Sequence, residues 1–115
     1  MLGTTGIPLS LERTGMSPDE IEQCILRAYV QLACTPEGHG WRTVNFLRFG
    51  DLEVRLIEVP EEQRLPRLPW FWLEIYCHAR RSVIDSYGCT ELDEIDLARA
   101  VQLIASARQR AHGLH

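Results

Sequence analysis

The sequence predicts an α+β fold: an N-terminal helix, a four-stranded antiparallel sheet made of two hairpins, and a C-terminal helix. Three observations predict it. Apolar residues recur at intervals of three and four in two separated stretches, near residues 17–35 and 90–111. Between them lie runs rich in β-branched and aromatic residues, one of them folded around Gly50-Asp51. A chain of 115 residues with 45% hydrophobic and 24% charged content has the size and balance of one globular domain, placed at 16–113.

Residues 1–15 mix Gly, Thr, Pro and scattered apolar residues without a period, and are expected to form a flexible arm. A sharp helix start follows. Ser17 is a cap, Pro18 suits the first helical position, and Glu20 completes a capping box with Met16 and Ile21 as a hydrophobic staple. Ile21, Cys24, Ile25, Ala28, Tyr29 and Leu32 then form one apolar stripe, ended by Pro36 and Gly38-His-Gly40.

Trp41 to Val59 reads as a hairpin, because Gly50 accepts the positive φ of a two-residue turn. Counting back from that turn pairs Phe49 with Leu52, Leu47 with Val54 and Asn45 with Leu56. On the other face it pairs Arg48 with Glu53, Phe46 with Arg55 and Val44 with Ile57. Pro60 to Pro69, with three prolines, cannot supply a central strand and is a linker, held to the surface by Leu65 and Leu68.

Trp70 to Tyr87 supports two readings. As a second hairpin, Trp70-Phe-Trp-Leu-Glu-Ile-Tyr-Cys77 has the aromatic and β-branched content of a strand, His78 to Arg81 turns, and Ser82 to Tyr87 returns. As a helix between Pro69 and Gly88, it aligns Glu74, His78, Arg81 and Asp85 on one polar face and makes the order α-β-β-α-α. The ring-rich run favours strands. The last helix has Thr90 as its cap, acids in its first turns and Arg99, Arg108 and Arg110 later, an order that complements the helix dipole. Its buried stripe is Leu97, Ala98, Val101, Ile104 and Ala105, with Gly113 at the end.

Composition removes several kinds of chemistry. All twelve basic residues are arginine, as in a GC-rich bacterial genome, so no lysine Schiff base, pyridoxal anchor, P-loop lysine or Ser-Lys dyad exists. The helix–strands–helix order is similar in topology to the double-stranded RNA-binding fold. However, Glu91-Leu-Asp93-Glu94 stands where that family carries a basic patch, and the net charge is −4. Nucleic acid is therefore not an expected partner. No run approaches the ~20 apolar residues of a membrane span, and no secretory signal is visible, so the expected location is the cytoplasm. Cys24, Cys34, Cys77 and Cys89 lack ligand spacing and are expected as free thiols, without metal or cofactor.

The hairpin reading brings one constellation together. An even turn across His78 to Arg81 sets Tyr76 opposite Val83, Glu74 opposite Asp85 and Trp72 opposite Tyr87. Trp72, Glu74, Tyr76, Asp85 and Tyr87 would then form one aromatic, acidic binding face. Its two carboxylates would share a proton or hold a cation, unless Arg42, Arg55 or Arg80 lies between them. No catalytic constellation is complete, and no G-x-S-x-G elbow exists. The expected function is a protein–protein interaction module, as a homodimer or partner-binding subunit. The alternative is a small ligand-binding protein or an enzyme using the Glu74/Asp85 pair. A partner surface would be an apolar patch, an enzyme a concave pocket with convergent polar groups.

Overall fold

Ser17 and Glu20 exchange the two hydrogen bonds of the capping box in the computed structural model, which describes residues 16–34 and 40–113. The Ser17 amide donates to Glu20 Oε1 at 2.8 Å, and the Glu20 amide donates to Ser17 Oγ at 3.2 Å. Helix α1, Pro18–Cys34, buries Ile21, Ile25, Ala28 and Leu32, the centre of the expected stripe. The arm expected at 1–15 and the stop signals at Pro36 and Gly38 lie outside the described residues.

Four strands follow: β1, Arg42–Phe49; β2, Leu52–Glu58; β3, Phe71–Cys77; and β4, Ser82–Cys89. They form one sheet in the order β1-β2-β3-β4, with every neighbouring pair antiparallel. The segment 70–87 is therefore a hairpin, not a helix. Its burial explains why: Phe71, Leu73, Ile75 and Cys77 are buried while Trp72, Glu74 and Tyr76 are half-buried. A strand gathers those four on one face, whereas a helix would scatter them round its circumference.

Both turns lie where the residues indicated. Gly50 adopts φ 57° and joins the Phe49–Leu52 pair, with positive φ at the first turn position only, as a type II′ turn requires. The second connection, 78–81, ends on Arg81 at φ 57°. Registers close to the turns match the count: Phe49 with Leu52, Leu47 with Val54, and Tyr76 with Val83. Farther out, each edge strand carries a β-bulge. In β1 Phe46 is the extra residue, so Asn45 pairs with Arg55 and Val44 with Leu56, not with Leu56 and Ile57 as the simple count has it. In β4 Ile84 is the extra residue, so Asp85 pairs with Ile75 and Ser86 with Glu74. One inserted residue reverses the face of everything beyond it.

The linker is held differently from expectation. Leu65 and Leu68 are 56% and 49% exposed, while Val59 and Pro60 are buried. Arg64 provides the clamp: its Nε donates to the Val59 carbonyl at 3.0 Å, its guanidinium pairs with Glu58 at 3.5 Å, and it lies 4.9 Å over the Trp70 ring. Pro66-Arg67 forms the centre of a β-turn closed by the Leu68 amide on the Leu65 carbonyl at 3.1 Å, with Arg67 at φ 72°.

Helix α2 runs Glu94–Gly113, and its cap is Asp93 rather than Thr90. Asp93 Oδ1 accepts the Asp96 amide at 2.8 Å, and the Asp93 carbonyl accepts the Leu97 amide at 2.8 Å. The chain stays in the sheet through Cys89, whose carbonyl takes the Trp70 amide at 3.0 Å, so residue 90 is too early to open a helix. The stripe turns with it: Ala100, Val101, Ile104 and Ala107 are buried and Ala98 is exposed. Both helices cover one face of the sheet. Ile21, Ile25, Val54, Leu73, Ile75 and Ile104 meet there in one core, and Leu32, Val44, Leu56 and Phe71 extend it toward the linker end.

Candidate functional site

The opposite face of the sheet is covered by no described element. Strand alternation and the registers set its side chains in three rows across β1 to β4. Nearest the turns are Arg48, Glu53, Tyr76 and Val83. In the middle are Asn45, Arg55, Glu74 and Ser86. At the linker end are Thr43, Ile57, Trp72 and Gly88.

Three of the five expected site residues, Trp72, Glu74 and Tyr76, therefore share this open face, carried together by β3. The other two do not join them. The bulge at Ile84 turns Asp85 and Tyr87 to the helix side, where both tie β4 to α2. Asp85 Oδ2 pairs with Arg110 Nη2 at 3.3 Å. The Tyr87 hydroxyl donates to Asp96 Oδ1 at 2.6 Å, and that bond raises the Tyr87 pKa above its ordinary value. The opposed Glu74/Asp85 carboxylates do not form. Arg55 stands opposite Glu74 instead, one of the arginines the sequence offered for that place.

The row nearest the turns has its charges engaged. Glu53 Oε1 lies 2.9 Å from His78 Nε2, and the His78 ring meets Tyr76 edge-on with centroids 4.9 Å apart. Arg48 Nε donates to the Gly50 carbonyl at 2.8 Å. The middle row is different. The Arg55 guanidinium lies 4.4 Å over the Tyr76 ring, and its buried Nε has no hydrogen-bond partner among the described residues. Such a donor costs about 1–3 kcal/mol. Among the described residues, no hydrogen bond or ion pair reaches Glu74. Two arginines and two glutamates make the face neutral within a chain of net charge −4. Ile57 and the position of Arg55 beside Glu74 escaped the sequence because the β2–β3 register crosses the linker, where no tight turn supplies a count.

One depression of about 520 Å³ lies at the linker end, bounded by Arg67, Pro69, Cys89, Asp93 and Asp96 among others. Two of its carboxylates are already used: Asp93 caps α2 and Asp96 accepts from Tyr87. Burial, then Asp96 and Asp93, push the Cys89 thiol up to about 11, so it holds its proton at neutral pH and is no nucleophile. All four cysteines are free, and among the described residues no group of three His, Cys, Asp or Glu is placed to hold a metal ion. No helix among the described residues is long and apolar enough to cross a membrane. Comparison of the chain with protein-family models, with curated proteins and with solved structures finds no match.

Proposed function

We propose that the protein is a binding module whose open sheet face, centred on Arg55, Trp72, Glu74 and Tyr76, docks a protein partner. One observation carries this reading: a four-stranded sheet keeps both helices on one side and leaves Ile57, Trp72 and Tyr76 half-buried on the other, beside Val83 at 45% exposure. A sheet face bearing aromatic and aliphatic side chains is ordinarily covered, and a large uncovered apolar patch marks an interaction surface. An aromatic ring beneath an arginine is also the composition found at the centre of protein interfaces. The geometry gives an enzyme less support, since Glu74 and Asp85 lie on opposite faces and, in the depression at the linker end, the thiol of Cys89 holds its proton while Asp93 and Asp96 are engaged in structural hydrogen bonds.

Photo-crosslinking tests the reading. A photoreactive residue replaces the exposed Thr43 or Ser86 on the open face, or the exposed Val30 or Gln102 on the helices, in cells that naturally make the protein. Adducts from Thr43 and Ser86 with none from Val30 and Gln102 are expected. Adducts from the helix positions alone, or from none of the four, would overturn it.

A further inference from the structure

We infer that the occupant of the open face is a second copy of the same chain, turned by a two-fold axis that runs parallel to the strands midway between β2 and β3. The inference rests on the preceding reading of that face and adds its partner. Such a rotation exchanges the two central strands. Because Arg55 and Glu74 stand directly opposite one another across that axis, Arg55 of each protomer meets Glu74 of the other. The same operation sets Ile57 over Trp72 and Glu53 over Tyr76. An isologous contact requires a self-complementary surface, and this face has that property in charge and in shape: acid over base in the middle row, aliphatic over aromatic at the linker end.

Three further observations favour this partner. Among the described residues, the charges left without a hydrogen bond or ion pair on the face are of both signs and sit in one row, Arg55, whose guanidinium lies over the Tyr76 ring, and Glu74. A partner of one charge sign would answer only one of them. Next, the two sheet edges are poor routes to self-association, because β1 and β4 are each broken by a bulge, a device that blunts edge-to-edge pairing. The face is the regular surface, the edges are not. Finally, four strands about 4.8 Å apart, with about seven residues at about 3.3 Å each, make a patch of roughly 19 by 23 Å. That is on the order of 450 Å² per partner, below the ~800 Å² of a standard interface, and marks a weak, concentration-dependent dimer.

The test is sedimentation equilibrium of the full chain from low micromolar to near-millimolar concentration. The wild type is expected to pass from monomer to dimer. Arg55→Glu and Glu74→Arg each put like charges together and are expected to raise the dissociation constant more than ~10-fold. An equimolar mixture of the two variants restores opposite charges across the interface in both directions, so dimer returns. Mixing is decisive, because a role for the pair within one chain cannot be repaired by a second molecule. Circular dichroism checks that both variants fold. If either does not, Ser86→Trp on the exposed part of the middle row serves in its place and is expected to give a monomer. A wild type monomeric throughout, or a mixture that stays monomeric while both variants fold, would overturn the inference, as would a dimeric Ser86→Trp. The crosslinks separate this failure from that of the parent reading. Open-face adducts of twice the chain mass support both, whereas open-face adducts of another mass overturn self-association alone.

Discussion

Trp72 lies so close to Gly88 that no side chain fits between them. A Cβ on Gly88 would stand 2.9 Å from Trp72 Cζ3 and 2.6 Å from Pro69 Cγ. The proline ring is rigid and the indole is held over the sheet, so the pair must separate to admit even a methyl group. Gly88→Ala is expected to cost about 1–3 kcal/mol, read from urea unfolding, with a change in tryptophan emission in the folded state. An unchanged urea midpoint would show that the indole yields freely.

The two helix starts make a paired prediction. Ser17→Ala and Asp93→Ala each remove a side-chain acceptor from a backbone amide and should each cost about 1 kcal/mol. Thr90→Ala, at an exposed position before α2 begins, should stay within about 0.5 kcal/mol of the wild type. Thermal or chemical unfolding of the three variants checks the order.

Arg67 and Arg81 hold φ of 72° and 57°, where an L side chain crowds its own backbone. That conformation costs about 1–2 kcal/mol, and glycine returns about 0.5–1 of it as extra freedom in the unfolded chain. Arg67→Gly and Arg81→Gly should therefore each stabilise the protein by about 0.5–1 kcal/mol. A higher melting temperature for each single variant, and a further rise on combining them, is the expected result.

Thiol chemistry separates the four cysteines. Cys34 is exposed at the end of α1, whereas Cys77 and Cys89 are buried. A maleimide at neutral pH should label Cys34 first, with Cys77 and Cys89 reacting only as the fold opens, which mass spectrometry over time will show. The same burial sets a pH dependence. The folded chain keeps the Cys89 proton up to about 11 while the unfolded thiol loses it near 9, so the unfolded state is favoured as pH climbs between those values. Tyr87, raised first by its bond to Asp96, acts in the same direction above its ordinary value of 10. Urea midpoints are expected to fall as pH rises from about 9 to about 11. Cys89→Ala should reduce that fall.

What the sequence made legible was local. The capping box at Ser17 and Glu20, the turn at Gly50 and the four expected strand pairs nearest the turns need only neighbouring residues to specify them. Phe46 and Ile84 are different. Nothing in their own chemistry marks a bulge, since neither is a glycine, and each moves by one step every pairing beyond it. That step separated Asp85 and Tyr87 from Trp72, Glu74 and Tyr76 and so removed two-fifths of the expected binding face. The choice of cap had the same character: Thr90 and Asp93 are both good caps, and only the length of β4, set by its ladder with β3, decides between them. Arg55 came to Glu74 through a register spanning the linker, which is a property of the assembled sheet.

The strand order has a consequence in time. Each hydrogen-bonded strand pair joins segments adjacent in the chain, so the sheet can grow one hairpin at a time as residues become available. The helices cannot. Arg108 Nη1 donates to the Met16 carbonyl at 3.1 Å across 92 positions of sequence, and Ile21, Ile25 and Ile104 share one core. The first helix made must therefore wait for the last before its packing is complete. Until then Leu73 and Ile75 have only the first helix to pack against, and the nascent sheet is half-covered on one face and open on the other.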